Sequence, residues 1–483
     1  MESSQELTAL LIVPFFASIL AWFIPKTSQR LYALLLSAIH FATVIYVVSH
    51  ASLAPGAGLE QTLPWLNDLG IQLQLRLDSV SVWFVLLGGF VSFAVLGLKG
   101  PWYRRHARLF TSLSFFLIFA LNTAFMSTNL ILFYLAYEAV FIPMILMVGI
   151  WGSNTKAASV FRFFLMSFFG SILMLVSIFY LSYLHYVKTG SFSTNLSDLM
   201  VLTSDPSISL SWCFAGFFLA FAIKVPLFPF HGWLKEVYVN APTPATIWMS
   251  ALLSKLGVFG FIRFIGPLFM SSMLEFQGTL LALATFTVIY AAFLAIQAKN
   301  PKALLAYSSI SHLGFVMLGV FSLSDAGRTA AIVLCIGHGL TSTVMFYLLD
   351  LIDERKEGVT LEEYSGMAKK YPLLFVCFFI GVLSAVSLPG TFNFIGEFLV
   401  LLHAYPVSAL CTILSGLGVI FGAVYMLKLY QRLGFGTHDE KVGEGTITRD
   451  IAGFDLVVVS LILGMIIYFG FQSSIFMGGI DHG

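Results

Sequence analysis

The chain has 483 residues, of which 58% are hydrophobic and only 10% charged, with a net charge of +1 and a mean hydropathy of +0.92. A soluble domain carries about 25% charged residues, so this composition excludes a soluble enzyme and points to a polytopic helical membrane protein. The lack of any large soluble region also argues against a nucleic-acid partner. Cys213, Cys335, Cys377 and Cys411 fall in apolar runs without CxxC spacing. They read as small core residues, not as a disulfide frame or metal site.

In chain order, fourteen apolar stretches read as membrane spans: residues 6–24, 30–49, 78–98, 109–126, 129–151, 159–186, 209–230, 243–267, 277–297, 302–322, 328–351, 371–403, 407–431 and 452–472. The first lacks a basic leader and a small-residue cleavage site, and is read as a retained span. Arg76, Lys188 and Arg328 stand in loops after even-numbered spans, and Lys224, Lys255, Arg263 and Lys428 lie within spans. The other eighteen of the 25 lysines and arginines stand in loops after odd spans. That bias predicts odd loops in the cytoplasm and both termini on the periplasmic side.

Spans seven and twelve carry helix breakers: Lys224-Val225-Pro226-Leu227-Phe228-Pro229 in one, Leu388-Pro389-Gly390-Thr391-Phe392-Asn393 in the other. Proline removes a backbone donor, and in lipid the freed carbonyls need protein or water partners. Broken helices five spans apart, each beside an ionisable residue, suggest two inverted five-helix repeats. The expected organisation within one membrane domain, 1–483, is N-terminal spans in 1–108, a first repeat in 109–267, a second in 277–431 and a final span at 452–472.

Charge inside such spans costs about 2.5–3.5 kcal/mol per residue on insertion scales. Glu138 lies about nine residues into span five, near mid-membrane at 1.5 Å per residue. Lys224 immediately precedes the first break, and Lys255 stands mid-span in Leu253-Ser254-Lys255-Leu256-Gly257. Desolvation weakens a lysine's hold on its proton and a nearby carboxylate strengthens it. A Glu–Lys pair that forms and separates would therefore switch the lysine between holding and releasing. The alternative is a fixed structural ion pair. His312 and His338, on spans ten and eleven, suit proton relay because imidazole titrates near neutrality; the alternative is hydrogen bonding between helices. Glu397 follows the second break, where Lys224 precedes the first. Arg263 and Lys428 lie nearer span ends and read as snorkelling. His40, His50, His185 and His231 read as interfacial, and the run Asp353-Glu354-Arg355-Lys356-Glu357, with Glu362 and Glu363, as a solvated loop. No GxGxxG loop, Walker motif or cysteine cluster is present, so nucleotide, flavin and iron–sulfur chemistry are not expected on this chain.

Several motifs carry a resemblance. They are Tyr137-Glu138 with Ile142-Pro143-Met144; Ala222-Ile223-Lys224-Val225-Pro226 through His231-Gly232-Trp233-Leu234; Ala241-Pro242-Thr243; Ala306-Tyr307-Ser308-Ser309 with His312-Leu313-Gly314; Gly337-His338-Gly339-Leu340; and Leu388-Pro389-Gly390 through Gly396-Glu397-Phe398. Over nearly its whole length the chain resembles the antiporter-like subunits of proton-pumping NADH:quinone oxidoreductase, respiratory complex I. Glu397, where the L and N types generally carry lysine, favours the M type. So does an end soon after span fourteen, without a long lateral helix. Asn300 and Ala303 depart from the family, where an acidic and a basic residue are common.

The resemblance implies a proton-translocating membrane-arm subunit. Glu138 and Lys224 would form a modulating pair, Lys255 a central relay, His312 and His338 an extension of the path, and Glu397 its link to the exit or the next subunit. It implies no cofactor on this chain, with NADH, FMN, iron–sulfur clusters and quinone handled by other subunits. The expected partners are L-type and N-type antiporter-like subunits and the lipid bilayer, in a bacterial inner membrane. A cation/proton antiporter subunit, a hydrogenase-linked ion pump and a structural membrane scaffold are the alternatives.

Overall fold

The computed structural model describes residues 3–51, 58–66, 71–153, 156–203, 205, 209–355, 360–361, 366–436 and 449–473. Every stretch read as a span is helical over most of its length. Among the described residues, ten helices are long and apolar enough on their own to cross a membrane, and five shorter apolar helices accompany them. The shorter ones include the halves of the two interrupted spans, Ser211–Lys224, Pro372–Ala385 and Phe392–Ala404. Internal contacts divide the chain into two compact units. Of the described residues, one unit holds those up to Val225 and Asn240–Gln277; the other holds Pro226–Val239 and those from Gly278 to 473.

In the first unit the helix Lys156–Thr189 packs along Ser211–Lys224. Small residues permit the approach, as in many membrane bundles: a Cβ on Gly170 would stand 3.0 Å from Ala220 Cα, and one on Gly257 would stand 3.1 Å from Lys224 Cβ. In the second unit the helix Asp325–Arg355 packs against Phe392–Ala404. A Cβ on Gly396 would lie 2.5 Å from Leu334 Cα, so only glycine fits there.

One element was not expected from the sequence. Strands β1 (Leu59–Leu66) and β2 (Ile71–Leu77) pair antiparallel, with Leu59 opposite Leu77 and Thr62 opposite Gln74. The signal was present, since Ile71-Gln72-Leu73-Gln74-Leu75-Arg76-Leu77 alternates apolar and polar residues strictly. Leu75 and Leu77 are buried while Arg76 reaches Glu60 at 3.0 Å.

The breaks are longer than a kink. The seventh span's helix stops at Lys224, turns occupy 225–233, and a short helix resumes at Leu234–Asn240, so Lys235 is helical rather than in a loop. In span twelve the helix ends at Ala385 and restarts at Phe392, with Ser387 and Gly390 at φ of 58° and 94°. Span five is also interrupted, at Val140 between Leu130–Ala139 and Phe141–Trp151. Pro143 cannot donate to the Ala139 carbonyl four residues back, which accounts for the interruption.

Several side chains differ from their sequence reading. Arg263 does not snorkel: its two terminal nitrogens bond Asp78 at 2.7 and 2.6 Å, a forked pair. Lys428 donates to the Ile296 carbonyl at 2.9 Å, at the C-terminal end of Gln277–Gln297, where a cation suits the helix dipole. His40 is not interfacial but fully buried midway along the 22-residue helix Gln29–His50, with Nε2 3.1 Å from Asn122 Nδ2. Asp353 and Arg355 are not in a solvated loop, because the helix Asp325–Arg355 runs through them. There Arg355 is buried and donates to the Leu351 and Arg449 carbonyls. Lys356, Glu357, Glu362 and Glu363 lie outside the described residues. Cys411 is half-exposed while the other three cysteines are buried. Asn300 caps the helix Pro301–Phe321 by accepting from Ala303 N at 3.0 Å, a local role that suits this departure from the family pattern.

Removing one partner of a largely buried ion pair costs up to about 3–5 kcal/mol when the other charge is stranded; Asp78 would keep Arg76 at 3.3 Å, so the cost here falls below that range. Arg263→Met is therefore expected to lower the thermal midpoint of the purified protein clearly. The double variant Asp78→Asn/Arg263→Met should recover part of the loss.

Candidate functional site

Glu138 and Lys224 meet in the first unit. Asn129 starts the Glu138 helix by accepting from Ile131 N and Leu132 N at 3.0 and 3.1 Å, and the interruption at Val140 follows two residues after Glu138. Glu138 is half-buried, whereas Lys224 is 1% exposed at the last turn of its helix. The two are within electrostatic reach. Yet among the described residues neither Lys224 Nζ nor Glu138 Oε1 makes a hydrogen bond. The ammonium lies instead between two aromatic rings, 3.9 Å from the centre of Tyr137 and 3.4 Å from that of Phe141. Aromatic faces attract a cation without fixing it by hydrogen bonds. The Tyr137 hydroxyl is anchored at 3.0 Å to the Ala220 carbonyl, one turn before Lys224. The pair is adjacent but open.

Lys255 is fully buried in the same unit. It lies between two π-helical turns, Met249–Leu253 and Phe261–Ile265. Such turns displace the regular i to i+4 ladder and recur at functional sites. Here the Ser250 carbonyl accepts from Lys255 Nζ at 2.6 Å and from Ser254 Oγ at 3.1 Å. The helix's own backbone thus helps to hold this ammonium. Neither the aromatic cradle nor these turns was foreseen; of the two, only the Tyr137-Glu138 motif gave a hint.

In the second unit the remaining candidates come together. His312 Nδ1 and Glu397 Oε1 are 2.7 Å apart, and both side chains are buried. The His312 and His338 rings stack with centroids 5.2 Å apart and planes 26° from parallel. Beside them is a cavity of about 10 Å³, lined by Ser308, Ser309, Thr341 and Ser342 among others. That is about the smallest space that holds one water, and hydroxyls interrupt its largely apolar wall. The Tyr425 hydroxyl donates to Ser308 Oγ at 3.2 Å. Here the acid and its base are closed on one another, in contrast to Glu138 and Lys224. The hydroxyls were visible in the sequence, but their convergence required the fold.

These polar centres can bind, hold and exchange protons; among the described residues no group of three or more histidine, cysteine or acidic side chains is arranged to hold a metal ion. Residues 127–423 match the family model described as NADH:quinone oxidoreductase/Mrp antiporter, TM. NADH-quinone oxidoreductase subunit M of Rickettsia conorii is 36% identical over 447 residues, covering 92% of this chain and 88% of that one. NADH-ubiquinone oxidoreductase chain 4 of Arabidopsis thaliana is 32% identical over 440 residues, 89% and 87% of the two chains. A chain in the structure of respiratory complex I from Thermus thermophilus with bound NADH superposes with a TM-score of 0.87 at 30% identity, over 98% of this chain and 97% of that one. The chain therefore belongs to the NADH:quinone oxidoreductase/Mrp antiporter family of membrane subunits, and within it to the subunit M type.

Proposed function

We propose that this chain is a proton-translocating membrane-arm subunit of respiratory complex I, in which protons pass along Glu138, Lys224, Lys255, His312, His338 and Glu397. The observation that carries the reading is the open pair of Glu138 and Lys224, a buried lysine held without permanent neutralisation. Lys224 rests on aromatic rings beside an unbonded glutamate oxygen, and Lys255 rests on a backbone carbonyl. A scaffold would gain nothing from an open pair, because an unsatisfied buried charge is destabilising. When Glu138 and Lys224 close, the lysine keeps its proton; when they part, desolvation favours its release.

In this reading NADH, FMN, iron–sulfur clusters and quinone are handled by other subunits, and this chain contributes to the enzyme as its proton-moving part. The driving energy arrives through neighbours of the L and N type. Glu138 is half-buried in the isolated chain, so a neighbouring subunit can bias the pair from that side. The protein lies in a bacterial inner membrane with both termini on the periplasmic side. In this reading residues 109–267 and 277–431 are two five-helix repeats of opposite topology, and an even number of crossings, fourteen, gives both termini the same side of the membrane.

Glu138→Gln tests the mechanism in membrane vesicles, with assembled complex quantified on the same preparation. Normal assembly with collapsed proton pumping and slowed quinone reduction is expected. Unchanged pumping per complex reduces Glu138 to a structural role, and sodium-dependent transport without a quinone reductase partner favours an antiporter subunit. The topology is checked separately. Single cysteines introduced at Ser28 and Lys99, in a background freed of native cysteines, are expected to react with an impermeant thiol reagent only from the cytoplasmic side.

A further inference from the structure

The second break creates carbonyls that its own helix cannot satisfy. Pro389 has no N–H, and Leu388 N turns back to the Leu383 carbonyl at 3.0 Å. The Ser384 carbonyl accepts from Ser387 N at 3.0 Å and from Asn393 Nδ2 at 3.1 Å. Ser384 Oγ is in turn 2.7 Å from Thr341 Oγ1. One short chain of hydrogen bonds thus joins the two halves of span twelve to span eleven.

Asn393 is 0% exposed, and its Oδ1 packs on Gly337, where a Cβ would stand 2.6 Å away. Gly337 precedes His338, which stacks on His312. Asn393 is not the cap of its own helix: Thr391 holds that position and bonds the Leu388 carbonyl instead. Its amide points across the break, to the other half-helix. Glu397 follows four residues later, one turn along the same face.

We propose that Asn393 is a positioning residue, which fixes the rotation of the second half-helix so that Glu397 Oε1 stays within bonding reach of His312 Nδ1. This inference rests on the proton-path reading given above. A helix restarting after a break has nothing in its own ladder to set its rotation. A rotation of roughly 20° moves a side-chain tip about 6 Å from the axis by about 2 Å, enough to break the bond. Asn393 contributes a donor toward Ser384 and a tight contact toward Gly337, and the two together resist rotation either way.

The titratable groups facing Glu397 are His312 and His338 from spans ten and eleven and the Tyr425 phenol from span thirteen. The test uses the intact complex in its membrane, comparing Asn393→Ala, Thr341→Val and Glu397→Gln, with proton pumping and quinone reduction measured per assembled complex across pH. Asn393→Ala is expected to assemble and to lose about fivefold in coupled rate, the effect of one hydrogen bond. Its pH profile should move, because the hydrogen bond between His312 and Glu397 is lost. Thr341→Val, which cuts the outer link and removes one hydroxyl from the cavity wall, should move rate and profile less and in the same direction. Wild-type rate and profile in both variants, with Glu397→Gln inactive, overturns the positioning role. Normal pumping in Glu397→Gln overturns the proton-path reading instead. If Asn393→Ala does not assemble, an unmoved profile in Thr341→Val overturns the inference by itself.

Discussion

An ionisable side chain removed from water must be compensated by the protein around it, and in this chain almost every irregularity of backbone serves that need. Three of the helices bearing candidate residues are broken or distorted where the charge lies: at Val140 after Glu138, at 225 after Lys224, and by π turns on both sides of Lys255. An unbroken helix consumes its own carbonyls and amides. A distorted one frees them, as Ser250 shows by accepting two side-chain donors. Lys224 is compensated differently, by the faces of Tyr137 and Phe141, which attract without neutralising. At Lys224 structure and lability therefore have one origin, since the rings that tolerate the charge do not cancel it.

The two units reach opposite solutions with similar parts. In the first, an acid and a base lie near one another with the base unbonded. In the second, Glu397 and His312 are joined at 2.7 Å beside a space large enough for one water. A closed pair holds its members on one another, and an open pair leaves them responsive to outside fields. Having one of each along a single chain is what a relay requires, because every site cannot be full or empty together.

Much of this was legible in the sequence, for a physical reason. Hydropathy reads out the membrane directly, so every expected span is helical, and a charge within such a run is conspicuous by its cost. Glu138, Lys224, Lys255 and Glu397 stood out for that reason, and His312 and His338 because imidazole titrates near neutrality. What failed was inference about partners. Arg263 and Lys428 were assigned to water because they stand near span ends, yet Asp78 and the Ile296 carbonyl claim them. His40 was placed at an interface, although it is at the middle of its helix with Asn122. The β1–β2 hairpin was overlooked because it falls between apolar runs that dominate the profile, despite its strict alternation. The role of Asn393 could not be read at all, since the Ser384 carbonyl it bonds has no signature in sequence.

The π turns around Lys255 have a further effect on how this span can vary. Each one accommodates an additional residue within an otherwise regular helix, and successive residues of a helix are set about 100° apart around its axis. The wide turn absorbs that residue, so its loss from Met249–Leu253 would leave the flanks facing nearly as before. Loss of one from the regular helix Ser254–Gly260 would instead swing what lies on one side of it by about that angle relative to the other. The composition and hydropathy of the span would hardly alter, and it would still insert. Its lysine, however, would face a different neighbour, so in this helix the number of residues, as much as their identity, specifies where the charge is delivered.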